Sequence, residues 1–166
     1  GTLFPYTTLF RSVFPGGARV RPKICLAVAE ACGDDQPEVS DAAAAAIELM
    51  HCASLVHDDL ACFDDSPLRR GRPSVQNAFG EPLAVLAGDA LIVMALDVLA
   101  QISEIAPDRL PHILRILTRS VGMRQGIIAG QAWECEPEVN LADYQQVKTG
   151  ARSEERRVGK ECATGC

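Results

Sequence analysis

The sequence predicts an all-α helical bundle. Three observations carry that prediction: Ala and Leu dominate from Asp41 to Ile128, β-branched residues show no alternation, and Val39 to Val56 runs without Pro or Gly. The predicted helices are, in order, Pro22 to Ala31, Ser40 to Leu60, Val75 to Phe79, Leu86 to Ile105, Leu110 to Ala132 and Leu141 to Gly150. Gly33-Asp34-Asp35 marks the turn before the second helix, and Pro107-Asp108 the turn before the fifth. The second is rich in Ala, Leu, Ile and Met, all compatible with a long buried helix. Leu83 to Ala100 is the most apolar stretch, but Gly88, Asp89 and Asp97 interrupt it. It therefore reads as a buried helix and not as a transmembrane segment, with Asp89 a helix-terminus residue.

A chain of 166 residues, 48% of them apolar, suffices for one domain with a sizeable core. The net charge of −6 argues against nucleic acid as a partner. It does not exclude anionic substrates, because metal ions and local arginines set the field at a site. The seven cysteines include Cys25, Cys32, Cys52, Cys62 and Cys135, scattered through apolar helices with no zinc spacing. Free thiols in the cytoplasm are the simplest reading, and no signal peptide is visible.

The chemistry is concentrated in His57-Asp58-Asp59-Leu60-Ala61-Cys62-Phe63-Asp64-Asp65 and the nearby Arg69-Arg70-Gly71. Carboxylates at this density repel one another unless a divalent cation sits among them. Their hard oxygens suit a Mg²⁺ ion that also holds substrate phosphate, and paired arginines are the usual fork for the same oxygens. His51 and Asp58, seven apart, share a helix face. Asp58 and Asp64, six apart, would point about 120° apart on a regular helix. Their convergence requires a break around Ala61 to Phe63. Read alone, the acidic cluster could also be a solvated loop or a Ca²⁺ loop, though it lacks the Gly and terminal Glu of an EF-hand. His51 could be a hydrogen-bonded core residue, Arg69 and Arg70 a helix C-terminal cap, and Arg21 an ordinary surface cation. His57 and Asp65 read as supporting or structural.

Several motifs in order narrow these alternatives. Gly16-Gly17-Ala18-Arg19-Val20-Arg21-Pro22 resembles a GGKRxRP start, and His51 through Asp59 resembles a helix ending in an aspartate-rich DDxxxxD motif completed by Asp64. Arg69-Arg70-Gly71, Leu86-Ala87-Gly88-Asp89, Gly130-Gln131 and Lys148-Thr149-Gly150 come next in the chain. Together they resemble the trans-polyprenyl diphosphate synthases, above all the bacterial synthases of geranylgeranyl diphosphate, from about Pro15 to Ala151.

That resemblance implies an isoprenoid synthase helical bundle and a Mg²⁺-dependent prenyltransferase that condenses isopentenyl diphosphate with an allylic diphosphate. By position, Asp58 and Asp64 would hold Mg²⁺, with Asp59 a lesser contributor. Arg69, Lys148 and Thr149 would grip the allylic diphosphate, while Arg19, His51 and Arg70 would bind isopentenyl diphosphate. Lys148 and Thr149 carry almost no signal without the resemblance. Ala18 stands where the family has Lys, which removes one phosphate-binding cation. Ala53, five before Asp58, replaces an aromatic that often floors the product tunnel. A methyl there points to products longer than farnesyl diphosphate, with C20 geranylgeranyl diphosphate favoured. The resemblance also implies a homodimer for the complete protein. A farnesyl diphosphate synthase remains an alternative, as do a class I terpene cyclase and a non-catalytic regulatory subunit. Intact Arg19, His51 and Arg70 count against the cyclase, and an intact acidic motif against the regulatory subunit.

The ends fit the pattern poorly. Residues 1–12 are aromatic and β-branched where the family shows an amphipathic helix, and residues 152–166 turn abruptly charged, then Gly- and Cys-bearing. Both read as translated adapter or vector sequence flanking a partial synthase domain at 13–151. On that reading a second aspartate-rich motif has no counterpart, so the chain alone is expected to show little or no turnover.

Overall fold

The computed structural model describes residues 8, 12, 13, 17–123 and 126–137, and among them six α-helices, one short 3₁₀ turn and a two-stranded hairpin make up the regular elements. Helix α1 spans Val20–Ala31 and α2 spans Pro37–Asp58. A hairpin comes next, β1 (Leu68–Arg69) paired antiparallel with β2 (Arg72–Pro73), then the short α3 (Val75–Phe79) and the long α4 (Glu81–Ala100). The 3₁₀ turn Gln101–Glu104 leads to α5 (Leu110–Val121) and α6 (Ile127–Glu134).

Local chemistry explains the boundaries. Helix α2 opens on Pro37 with Glu38 in its first turn, where a missing N–H is harmless and a negative charge meets the positive end of the helix dipole. Glu81 and Pro82 do the same for α4. Ser74 caps α3, its hydroxyl accepting from the Asn77 N–H at 3.3 Å. The predicted helices from Pro22, Ser40 and Leu86 are therefore each extended at the N-terminal side. One prediction needs correcting: Leu110 to Ala132 is not a single helix. The chain leaves helical geometry at Gly122, where ψ is −178°, and resumes at Ile127 after Gly126. The predicted helix Leu141 to Gly150 lies outside the described residues.

Two compact units divide the chain, one made of Gly1–Arg19 with Glu48–Asp97, the other of Val20–Ile47 with Val98–Cys166. In the first, Cys52, Ala53, Val56 and Leu60 form a stripe at helical spacing along α2 and just past its end. It packs with Val75 of α3 and with Ala84, Ala87 and Leu91 of α4. The cluster residues on both long helices are mostly small, and Leu91, the bulkiest of those on Glu81–Ala100, has no exposed surface. In the second unit, Ile113, Ile116 and Leu117 give α5 one apolar face, and α5 contacts α6. Arg109 there makes two parallel bonds to Asp35, at 2.8 and 2.7 Å.

Helices Pro37–Asp58 and Glu81–Glu104 are long and apolar enough to cross a membrane by length and composition. The first has 61% of its apolar window buried inside the protein, the mark of a core helix.

Because Leu91 is fully buried between α2 and α4, Leu91→Ala should cost about 2–5 kcal/mol of unfolding free energy. Urea titration of the variant measures that loss directly.

Candidate active site

Helix α2 ends at Asp58, and beyond it the chain enters a tight loop rather than a continued helix. The Leu60 N–H reaches His57 O at 3.0 Å, and the Asp64 N–H reaches Asp58 O at 3.0 Å. That second bond closes the loop. It brings the backbones of the two predicted metal ligands together, as the required break around Ala61 to Phe63 anticipates. Asp65, with φ of 46°, turns the chain away, and its N–H returns to Leu60 O at 3.1 Å.

Gln76 of α3 pins this loop from outside. Its side-chain oxygen accepts from the Ala61 N–H at 2.8 Å, and its amide nitrogen donates to Asp65 Oδ1 at 3.2 Å. Nothing in the motif pattern marks Gln76. Its only sequence signal is its place just after the Ser74 cap of a short helix.

The hairpin delivers the arginines. Arg69 pairs with Arg72, leaving Arg70 and Gly71 as a two-residue turn with φ of 54° and 75°. Two positive φ angles define the turn that suits the twist of a hairpin; Gly71 adopts one freely, and Arg70 does so at a cost of about 1–2 kcal/mol. The strands are too short for any alternation to announce them.

Arg69 then meets Asp59. Its Nε lies 3.0 and 3.2 Å from the two carboxylate oxygens, and Nη2 bonds Oδ1 as well. Asp59 is only 2% exposed, so this carboxylate is spent on orienting a guanidinium. The hydrogen bond to Asp59 is the largest influence on Arg69 and raises its pKa; burial opposes it, and Asp59, Asp58 and Asp64 add to the increase electrostatically. Arg69 is thus charged, held, and within the field of both predicted metal ligands. Among the described residues its Nη1 has no partner.

Arg19 is arranged by the same logic. Burial is the largest single influence and works against its charge, but hydrogen bonds and attraction from Glu48 and Cys52 together outweigh it, so its pKa rises. Its other nitrogen donates to Val13 O. Burial pushes the nearby Cys52 thiol up, helped by Glu48 and opposed by Arg19 and Arg70. Arg70 lies across Gly17: a Cβ there would stand 2.7 Å from the guanidinium carbon. Gly17 of the opening motif therefore gives clearance to an arginine 53 positions later (70 − 17).

A cavity of about 290 Å³ opens beside these groups, lined in part by Cys52, Asp59, Arg69, Arg70, Arg72 and Ser74. Three guanidiniums against one already paired carboxylate suit a polyanion. His51 is half-buried on α2, one turn before Leu55 of the cavity wall. Ala53 is 2% exposed within the apolar cluster and is not among the residues lining the cavity. Lys148 and Thr149 lie outside the described residues. No three His, Cys, Asp or Glu side chains among the described residues form a metal cluster by themselves. Two carboxylates joined at a loop nonetheless fit Mg²⁺, which takes one or two protein carboxylates and completes its shell with water and phosphate oxygens.

The polyprenyl synthetase family model matches residues 5–153. The chain belongs to the polyprenyl synthetase family. It is 59% identical over 139 residues to a geranylgeranyl diphosphate synthase of Rhodobacter capsulatus, covering 84% of this chain and 48% of that protein. A geranylgeranyl diphosphate synthase of Cereibacter sphaeroides is 56% identical over 145 residues, or 87% of this chain and 50% of that protein. The chain thus spans about half the length of these curated relatives. The crystal structure of a geranyltransferase from Helicobacter pylori superposes with a TM-score of 0.88 at 31% identity, over 97% of this chain and 59% of that one. The all-α isoprenoid synthase fold expected from the sequence is the fold observed.

Within this family member, Asp59 and Arg69 should behave as a unit. Arg69→Met strands a buried carboxylate and should cost roughly 1–3 kcal/mol of stability. Adding Asp59→Asn should return much of that loss, which a double-mutant cycle of thermal unfolding reads out.

Proposed function

We propose that this chain carries the allylic-diphosphate half of a trans-polyprenyl diphosphate synthase. The reaction is condensation of an allylic diphosphate with isopentenyl diphosphate. The observation that supports it best is the loop joining Asp58 to Asp64 beside the Asp59-oriented Arg69. Asp58 and Asp64 would hold Mg²⁺, which when bound neutralises the diphosphate and stabilises it as a leaving group.

The allylic carbon–oxygen bond breaks with its electron pair going to the diphosphate, leaving an allylic cation. Arg69 aims positive charge at the oxygens where negative charge grows, and Asp59 fixes its direction beforehand. The isopentenyl double bond then forms the new carbon–carbon bond, and the resulting cation loses a proton to the released diphosphate. Lys148 and Thr149 are assigned to the allylic diphosphate with Arg69, and Arg19, His51 and Arg70 to the diphosphate of isopentenyl diphosphate. Arg70, exposed at the hairpin tip and braced on Gly17, supports that second role. Arg19 supports it through Glu48, which holds its guanidinium in one place. Fixing two anions head to head supplies proximity worth about 7 kcal/mol or more.

The names of the curated relatives support a C20 product; the chain-length role of Ala53 rests on the resemblance alone, because its methyl packs in the apolar cluster and not in the cavity wall. A homodimer of the complete protein and a cytoplasmic location are carried over from the resemblance; a second copy could cover the exposed Leu86, Val93 and Met94 of α4. Residues 13–151 are assigned to the synthase domain, and the family match extends on either side of them, from residue 5 to residue 153. Because the chain spans about half its relatives' length, substrate capture and turnover separate.

Calorimetric titration with farnesyl diphosphate should show binding that requires Mg²⁺ and falls at least tenfold in Asp58→Asn or Asp64→Asn, with little or no product on adding isopentenyl diphosphate. Binding that ignores Mg²⁺ and both substitutions would sink the proposal.

A further inference from the structure

Gly88 sits in the interior of α4, where glycine costs about 1 kcal/mol relative to alanine. Its φ is not in the left-handed region, so backbone freedom does not explain it. Space does. A Cβ at this position would stand 2.0 Å from His57 Nε2, 2.4 Å from Cδ2 and 2.7 Å from Cε1. The imidazole edge occupies the volume that any other residue's side chain would need.

The ring is also held by polar contacts on the same helix face. His57 Nε2 donates to Val85 O at 3.2 Å and lies 3.6 Å from Asp89 Oδ1. Gly88 and Asp89 stand three and four residues after Val85, so the three form one surface of α4. His57 itself belongs to the last turn of α2, and its carbonyl accepts the Leu60 N–H that begins the loop. The next residue, Asp58, accepts the Asp64 N–H that closes it. A bolt from α4 therefore fastens the same turn that carries both candidate metal ligands.

We propose that His57 is a positioning residue for the metal site: seated on Gly88, it fixes Asp58, and through the Asp58–Asp64 backbone bond the second carboxylate, for a Mg²⁺-bound diphosphate. This rests on the Mg²⁺–diphosphate reading above and adds a residue that neither touches the diphosphate nor ligates the metal. The Leu86-Ala87-Gly88-Asp89 motif then acquires a physical reason. Its glycine is a seat, and its aspartate faces the seated ring.

The test uses the whole chain, with Mg²⁺ and inorganic pyrophosphate as probe in calorimetry and thermal unfolding alongside. Gly88→Ala and His57→Ala should each weaken Mg²⁺-dependent pyrophosphate binding about tenfold or more, the scale seen when groups supporting metal ligands are removed. In the His57→Ala/Gly88→Ala double variant the new methyl enters vacated space. Its unfolding temperature should recover relative to Gly88→Ala while binding stays weak. His57→Gln, which keeps a donor near the Nε2 position, should bind within a few-fold of wild type. Recovery of binding together with stability in the double variant would show that His57 only fills space and would overturn the proposal. So would wild-type binding by His57→Ala. A wild-type chain that takes no pyrophosphate at any Mg²⁺ concentration overturns the reading of the site itself, and the role of His57 with it.

Discussion

Two carboxylates six residues apart cannot serve one cation from a continuous helix, and the site depends on the resolution of that conflict. Helix α2 stops at Asp58, and a single backbone bond from Asp64 folds the chain back on it. The neighbouring parts reinforce that stop. Gln76 holds the loop from α3, Asp65 turns it with a left-handed backbone, and His57 anchors the preceding turn on α4. Without these restraints, mutual repulsion between Asp58, Asp59, Asp64 and Asp65 would favour an open loop.

Charge is organised pairwise around that loop. Asp59 is withdrawn from the acidic cluster to orient Arg69, and Glu48 does the same for Arg19. Arg70 has a glycine beneath it instead of an acid. Arg19 and Arg69 therefore have their directions fixed before any substrate arrives, which is the condition for stabilising a leaving group without reorganisation. It also explains why a chain with net charge −6 can present a cavity suited to polyanions.

Much of this is legible in the sequence, and the reasons for the rest are physical. Long apolar runs with little Gly or Pro reveal α2 and α4, because helix period and composition are local signals. The loop after Asp58 comes from helix geometry alone. The break inside Leu110 to Ala132 escapes detection because apolar content continues across Gly122 and Gly126, and single glycines are often tolerated within helices. Two-residue strands carry no periodicity, so the hairpin of Arg69 and Arg72 leaves only its Gly71 as a trace. The pairings Arg19–Glu48, Arg69–Asp59 and Arg70–Gly17 join residues separated by ten or more positions, which composition and spacing cannot register. Gly88 shows in the sequence as an interruption of an apolar run and as part of the Leu86-Ala87-Gly88-Asp89 motif, neither of which gives it a physical role. Its purpose emerges from the His57 ring lying against it.

The central claim is that one ion is held jointly by Asp58 and Asp64 with Arg69 on the same diphosphate. A crystal structure of the chain grown with Mg²⁺ and inorganic pyrophosphate tests it most directly. The account predicts oxygen atoms of both aspartates at about 2.0–2.1 Å from the same Mg²⁺, with Arg69 still bonded to Asp59 and its Nη1 on the pyrophosphate. An ion bound by Asp59 in place of this pair, with Arg69 released, would contradict it.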